Sequence, residues 1–297
     1  MSYLLLVFAA LFWGGNYVVG HLLVANADPI LLSQARWTLT AILLLSLYHK
    51  QIKANLTKIR QSFLVIMMLS IFGQVIFPLT LYIGLQYTSS LNAAIYMSAT
   101  PAVVLIINKI IFHDNISHNN VFGVILSSFG VLYLILQGDF ANFDAFKHLN
   151  QGDLWTALSA LSWAFYCAFL RKKDKNISGN AFVSVSSLIG ACILLPLTIT
   201  YCLVNSSINL DAYHYINFWI GLIYLVVFPS WLAYLFWNRG IADIGATRGE
   251  IYTHIIPLSG GIFSIIFLHT EFAWFHAISL FFIVCGICLC SKKPTSQ

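Results

Sequence analysis

Glu250 and His254 stand four residues apart in a largely apolar stretch, a spacing that stacks a carboxylate and an imidazole on one face of an α-helix. Such a pair can exchange a proton or hold a substrate amine, histidine being the side chain suited to proton exchange near neutral pH. A plainer alternative keeps Glu250 a turn inside the cytoplasmic end of its helix, reaching water or pairing with Arg248 or Arg239. Arg36 lies two turns inside another apolar segment. It can clamp a carboxylate through two parallel hydrogen bonds, or tie neighbouring backbone carbonyls, and the second role is the expectation. An ionisable group at such depth costs about 2.5–3.5 kcal/mol to insert, so each needs a partner or a wet cavity.

Amide and aromatic side chains accompany these charges. Trp13, Asn16, Gln74, Tyr82, Asn92, Tyr96, Trp163, Tyr166, Trp231, Tyr234 and Tyr252 fall within long apolar segments and are candidates for lining a substrate cavity. Asn92 and Tyr96 share a helix face. Aromatic faces attract an ammonium group and amides bind a carboxylate, so the ensemble suits a zwitterion with a modest apolar body. Any single Trp or Tyr has a plain alternative in packing or an interfacial belt. Pro101 and Pro257 each remove a helix hydrogen bond, to the carbonyls of Met97 and Thr253. Paired interruptions at matching places point to a binding site or gate.

The elements that must position these residues are membrane helices. The chain has 297 residues, 59% hydrophobic and 8% charged, with a mean hydropathy of +0.83. Soluble domains carry about 25% charged residues. Ten segments are long and apolar enough to span a bilayer, at 2–24, 29–48, 62–85, 90–112, 119–137, 153–171, 180–203, 215–237, 246–268 and 273–290. The first has no basic residue before it, exceeds a signal peptide's apolar core and is broken by Trp13-Gly14-Gly15-Asn16, so it reads as a retained helix.

The back half repeats the front half. At a shift of 156 residues Gly84-Leu85 returns as Gly240-Ile241, Ile95-Tyr96 as Ile251-Tyr252, and Pro101 as Pro257. Residues 1–137 and 153–291 therefore form two five-helix repeats joined by a connector at 138–152. Thirteen of the fifteen Lys and Arg residues fall on one side of this arrangement, Lys147 alone on the other, with Arg36 inside a helix. The positive-inside rule then places both termini in the cytoplasm and makes the second repeat inverted. Inverted repeats packed about a midplane site are a construction of secondary transporters working by alternating access.

Other chemistries fit poorly. The formal net charge of +5 resides in short interhelical loops, as orientation signals do, so no nucleic-acid partner is expected. Cys285, Cys288 and Cys290 have metal-like spacing, but no His or acid joins them in that segment, and no metal or cofactor is expected. The chain lacks a framed nucleophilic serine, a His-Glu-x-x-His and a Walker-type loop, against an enzyme. Gly123, Ser127 and Gly130, and Ser279 with Gly286, let backbones approach closely, within one chain or across a homodimer.

Ala10-Leu11-Phe12-Trp13-Gly14-Gly15-Asn16-Tyr17 resembles the opening helix of the drug/metabolite transporter superfamily, in its EamA-type branch. Arg36 within Ala35-Arg36-Trp37 resembles the arginine of that branch's second helix. Gly245-Ala246-Thr247-Arg248 leading to Pro257 resembles the ninth, with Glu271 following. Departures are Asp114 in place of Glu, Glu271 one residue late, Ser186 at the arginine position of the second half, and Glu250 and His254 where small or apolar residues are usual. The resemblance implies an all-α, ten-helix exporter of small metabolites, often amino acids, in a cell membrane, most naturally the bacterial inner membrane, with a cavity lined by helices 1, 3, 4, 6, 8 and 9. Carriers of lipophilic drugs or lipid-linked metabolites, and an uptake permease for nucleotide-like solutes, are the alternatives.

Overall fold

The computed structural model describes residues 1–139, 150–205, 208, 210–259 and 273–291. Every regular element among them is helical: α1 (Ser2–Val24), α2 (Pro29–Ala54), the short α3 (Leu56–Gln61), α4 (Phe63–Leu85), α5 (Ser90–Ser98), α6 (Thr100–Ile110), α7 (His118–Ile135), α8 (Gln151–Phe169), α9 (Gly179–Val204), α10 (Ile216–Ile244), the short α11 (Ala246–Gly249) and α12 (Trp274–Ser291). Among the described residues seven helical stretches are long and apolar enough to cross a bilayer. They are α1, α2, α4, α8 extended by the 3₁₀ turn Leu170–Lys172, α9, α10 and α12, with a shorter apolar stretch at Tyr96–Ile110.

Several expected boundaries move. The expected segment 90–112 is two helices, α5 and α6, broken at Ala99 just before Pro101. There Thr100 Oγ1 donates to the Met97 carbonyl that the proline leaves free. The segment expected to end at 237 continues to Ile244. Its extra turns are held by the Arg239–Asp243 pair (3.3 Å) and end at Gly245, whose φ of 82° suits glycine. The segment expected from 246 begins with α11, then a 3₁₀ turn over Glu250–His254, with 255–259 again helical. The rest of that segment, the connector at 140–149, Lys147, Glu271, Lys292 and Lys293 lie outside the described residues.

Matching elements of the two halves carry matching devices. α2 and α9 begin 150 residues apart, capped by Asp28 and Ser178, whose side chains accept from backbone N–H groups in the first turn. α4 and α10 each contain a π-helical stretch, Ile71–Ile76 and Val226–Leu232. The carbonyls these stretches turn outward are taken by aromatic donors: Tyr234 OH bonds Gly73, and Trp13 Nε1 bonds Pro229 at 3.1 Å.

α2 packs on α9 and α7 on α12. Gly123 and Gly286 permit the second contact: a Cβ at Gly286 would lie 2.8 Å from the Ser127 backbone nitrogen. Hydrophobic side chains such as Leu4, Leu64, Phe122, Leu154 and Leu203 stay exposed on the outside, as lipid contact requires. The largest buried side chains collect at the centre, where α1, α2, α4, α8 and α10 meet.

Candidate functional site

The centre is a packed aromatic cluster. Trp13 meets Trp163 edge-on with ring centroids 4.7 Å apart, Trp237 at 5.0 Å and Tyr234 at 5.8 Å. Trp163 stacks on Tyr166 at 5.0 Å, and Trp37 meets Tyr234 at 5.6 Å. Glycines admit these rings: a Cβ at Gly73 would collide with the face of Tyr166, and one at Gly20 would lie 2.8 Å from the Tyr82 ring.

Arg36 is buried within this cluster. Its Nε donates to Ser230 Oγ at 2.5 Å, its Nη1 to Asn16 Oδ1 at 3.0 Å and to Tyr82 OH, and Tyr82 OH donates to Asn16 Oδ1 at 2.9 Å. The guanidinium also lies 5.2 Å from the Trp37 ring centroid and 5.6 Å from that of Tyr82. The expected backbone carbonyls are thus replaced by side chains from α1, α4 and α10, because three polar residues were placed around the one cation. No carboxylate pairs with it among the described residues. Arg36 Nη2 and Asn16 Nδ2 are buried without a partner there. Two donors left over beside a cation are groups that an anion could accept from.

Glu250 is also buried, at 1% exposure. Its carboxylate lies near the Trp163 indole and the Cys167 thiol, yet neither oxygen makes a hydrogen bond of normal geometry. The alternative of a carboxylate reaching water or an arginine does not hold: Arg239 pairs with Asp243, and Arg248 Nε donates to the Ile244 carbonyl at 3.2 Å. Glu250 and His254 do not form the expected pair either. They sit in a 3₁₀ turn, where residues three apart eclipse, so a four-residue spacing no longer stacks them. His254 instead bonds the Ser98 carbonyl through Nε2 and Ser127 Oγ through Nδ1, both at 2.7 Å. A carbonyl only accepts, so Nε2 carries the proton.

The remaining candidates divide. Gln74 is fully buried in the first π stretch, its amide oxygen and nitrogen both without a partner among the described residues. Trp13, Asn16, Tyr82, Trp163, Tyr166 and Tyr234 all reach the centre. Trp231 does not; it faces Tyr48 at 6.2 Å, beside the local break of α2. Tyr252 stacks on Tyr3 at 6.1 Å and contacts Ser291 at the chain's ends. Tyr96 is half-buried in α5, and the side chain of Asn92 lies outside the described residues. Pro101 and Pro257 are buried next to the Ser98–His254 contact.

Sequence reasoning missed Asn238, Ser230 and Cys167. Asn238 Oδ1 accepts from Tyr166 OH at 2.8 Å, and Cys167 Sγ lies 3.2 Å from Trp237 Nε1. Asn238 was legible by shifting Tyr82 forward 156 positions.

Polar contacts close the two ends of the bundle. At one, Arg171 grips Asp114 with two bonds, 3.0 and 2.6 Å, and Asn108 Nδ2 donates to Thr247 Oγ1 at 2.8 Å. The Arg171 guanidinium holds the Asp114 carboxyl below the usual carboxylate range, through those hydrogen bonds first and its charge second. At the other end Thr88 Oγ1 donates to Asp153 Oδ1 at 3.3 Å and Tyr201 OH to Asp28. A cleft of about 880 Å³ opens there between α1 and α10, lined by Val19, Leu22, Asn26, Asp211 and Phe218 among others, and reaches none of the central residues.

A multi-pass helical membrane protein that buries a cation and a carboxylate with no ionic partner for either among the described residues has the build of a carrier. The sequence pattern of the EamA-like transporter family matches residues 1–136 and again 150–292, and the chain belongs to that family. It is a transporter and not an enzyme. Relatives include "Uncharacterized transporter YyaM" of Bacillus subtilis (strain 168), 27% identical over 96% of this chain and 92% of its own length. Another is an "Uncharacterized transporter" of Archaeoglobus fulgidus, 23% identical over 98% of both chains. A solved crystal structure shares the fold, with a TM-score of 0.70 at 15% identity over 98% of this chain and 97% of its own.

Proposed function

We propose that the chain is a secondary transporter of small polar metabolites, amino acids and amino-acid-like solutes foremost, exporting them by alternating access. Ten spans would form two inverted five-helix halves, the fourth built from α5 and α6, with both termini cytoplasmic. Matching π stretches, matching caps and interruptions just before Pro101 and Pro257 support a repeat whose halves rock about the centre.

The observation that carries the reading is that the buried polar atoms without partners among the described residues include Arg36 Nη2 and Asn16 Nδ2 as donors and Gln74 Oε1 and the Glu250 oxygens as acceptors. Native interiors pair nearly all such atoms unless a site has a use for them. A solute with both a carboxylate and an ammonium group answers both kinds. A lipophilic cargo would leave them unpaired.

Counterflow in proteoliposomes tests the reading. Vesicles loaded with an unlabelled metabolite pool should accumulate labelled amino acids above protein-free vesicles. Folded protein that accumulates none of them would move the assignment to lipophilic or lipid-linked cargo.

A further inference from the structure

The Arg36 centre has a counterpart. Shifting its members by the repeat carries Asn16 to Tyr166 and Arg36 to Ser186 (150 positions), and Tyr82 to Asn238 and Ser230 to Gln74 (156 positions). These counterparts also gather. Tyr166 OH donates to Asn238 Oδ1 at 2.8 Å, repeating the 2.9 Å bond of Tyr82 OH to Asn16 Oδ1 with tyrosine and asparagine exchanged between helices. Gln74 adjoins them, since the Tyr166 ring lies on the neighbouring Gly73. The stem of Gln74 packs against Gly190, one turn along α9 from Ser186.

The two centres differ at one position. In the first, Arg36 donates to the Asn16 amide oxygen, the Tyr82 hydroxyl and the Ser230 hydroxyl. In the second, the arginine position is Ser186, whose Oγ donates to the Val183 carbonyl of its own helix. The acceptors remain: Asn238 Oδ1, Tyr166 OH and Gln74 Oε1, the last buried with no partner among the described residues, as are the amide donors Gln74 Nε2 and Asn238 Nδ2 beside them. A buried carboxyl group stands one neighbour away. Glu250 lies against Trp163 and Cys167, which flank Tyr166 on α8, while the Tyr234 ring lies between Tyr166 and Trp37, the neighbour of Arg36.

We infer that Gln74, Tyr166 and Asn238 form a subsite for a cationic nitrogen bearing N–H donors, an ammonium or guanidinium group of the transported solute, in the place where the first half of the chain uses its own Arg36. The inference deepens the proposed function and rests on it: Arg36 takes the anionic end of the solute and its repeat counterpart takes the cationic end.

The test is thermal stabilisation of the full-length, detergent-solubilised protein by methylguanidinium chloride, with tetramethylammonium chloride, which lacks N–H donors, as the control. Wild-type protein should melt at a higher temperature in methylguanidinium than in equal tetramethylammonium. Gln74→Leu should raise the half-saturating concentration about tenfold, the effect of one lost hydrogen bond to a charged group. Tyr166→Phe keeps the ring on Gly73 and should show a similar loss, so the inference stays testable if Gln74→Leu does not fold. Equal melting of the wild type in the two salts, or an unchanged half-saturating concentration in a folded variant, overturns the subsite. Counterflow on the same preparations separates the two ideas. Exchange of amino acids without methylguanidinium stabilisation removes the subsite and keeps the carrier. Stabilisation without exchange keeps the subsite and removes the amino-acid assignment.

Discussion

The imidazole Nε2 of His254 donates to the carbonyl of Ser98 at 2.7 Å, and the two residues are 156 positions apart, the shift that carries the first half of the chain onto the second. Equivalent positions of two copies related by a two-fold operation can touch only where its axis passes. In a two-fold arrangement of the proposed halves this contact would lie at the symmetry axis, and Trp13 against Trp163, 150 positions apart in matching Ala-Leu-x-Trp runs, would be a second point of the same kind.

His254→Leu should lower the melting temperature, because it removes the two buried bonds of the imidazole, to the Ser98 carbonyl and the Ser127 hydroxyl, while Ser127 keeps its 3.2 Å bond to the Val124 carbonyl; the expected cost is about 1–3 kcal/mol. His254→Gln should recover part of the loss. Thermal denaturation of the purified variants checks this, and equal melting of His254→Leu and wild type would contradict it.

Arg36→Lys should destabilise despite keeping the charge. A single ammonium cannot span Ser230 on α10 and Asn16 on α1 as the guanidinium fork does. The expected cost is about 1–3 kcal/mol. A variant melting with the wild type would show that the charge alone suffices.

Glu250→Gln should separate stability from transport. The buried carboxylate lacks a hydrogen-bond partner among the described residues, so the neutral amide relieves a desolvation cost and raises the melting temperature by a few degrees. Counterflow should fall at least about tenfold, the effect of losing one charged contact, and any pH dependence of transport between about pH 5 and 8 should flatten. Full transport with an unchanged pH profile would return Glu250 to a structural role.

Asp114→Asn addresses the closure at one end. The Asp114 carboxyl is held below its ordinary value of 3.8 in the folded protein. Its stabilisation is therefore fully present above that ordinary value and is lost as pH falls through the lower folded value. The pair is about a third exposed, so it contributes roughly 0.2–1 kcal/mol. Wild type and Asp114→Asn should differ by a constant small amount from neutral pH down to the carboxylate range, then converge in acid. A difference that grows on acidification would contradict the assignment.

Much of this was legible from composition and periodicity. Apolar length marked most of the helices, and polar residues within them marked Arg36, Asn16, Gln74, Tyr82 and Tyr166, because a bilayer interior tolerates such groups only for a reason. The misplaced pair Glu250 and His254 shows where this stops: a four-residue spacing has meaning only if the turn is α, and nothing in Glu-Ile-Tyr-Thr-His signals a 3₁₀ turn. Asn238 was hidden by its neighbours. Arg239 and Asp243 gave the stretch the look of a loop, although they pair with each other on a helix surface while Asn238 faces inward. Aligning the halves by identical residues also concealed the exchanged tyrosine and asparagine, which keep a bond rather than a residue type.

The π stretch at Ile71–Ile76 also sets which neighbours α4 meets. A wide turn holds one residue more than an α-turn, and one residue is worth about 100° of rotation. Before it, Phe63–Ser70 packs on α9; after it, Phe77–Leu85 packs on α8. Deleting a single residue there would leave composition and hydropathy almost untouched. It would swing Tyr82 a quarter-turn away from Arg36 and aim the following lipid-facing side chains at the interior. For this helix, the number of residues in one turn matters as much to the polar centre as the identity of any residue lining it.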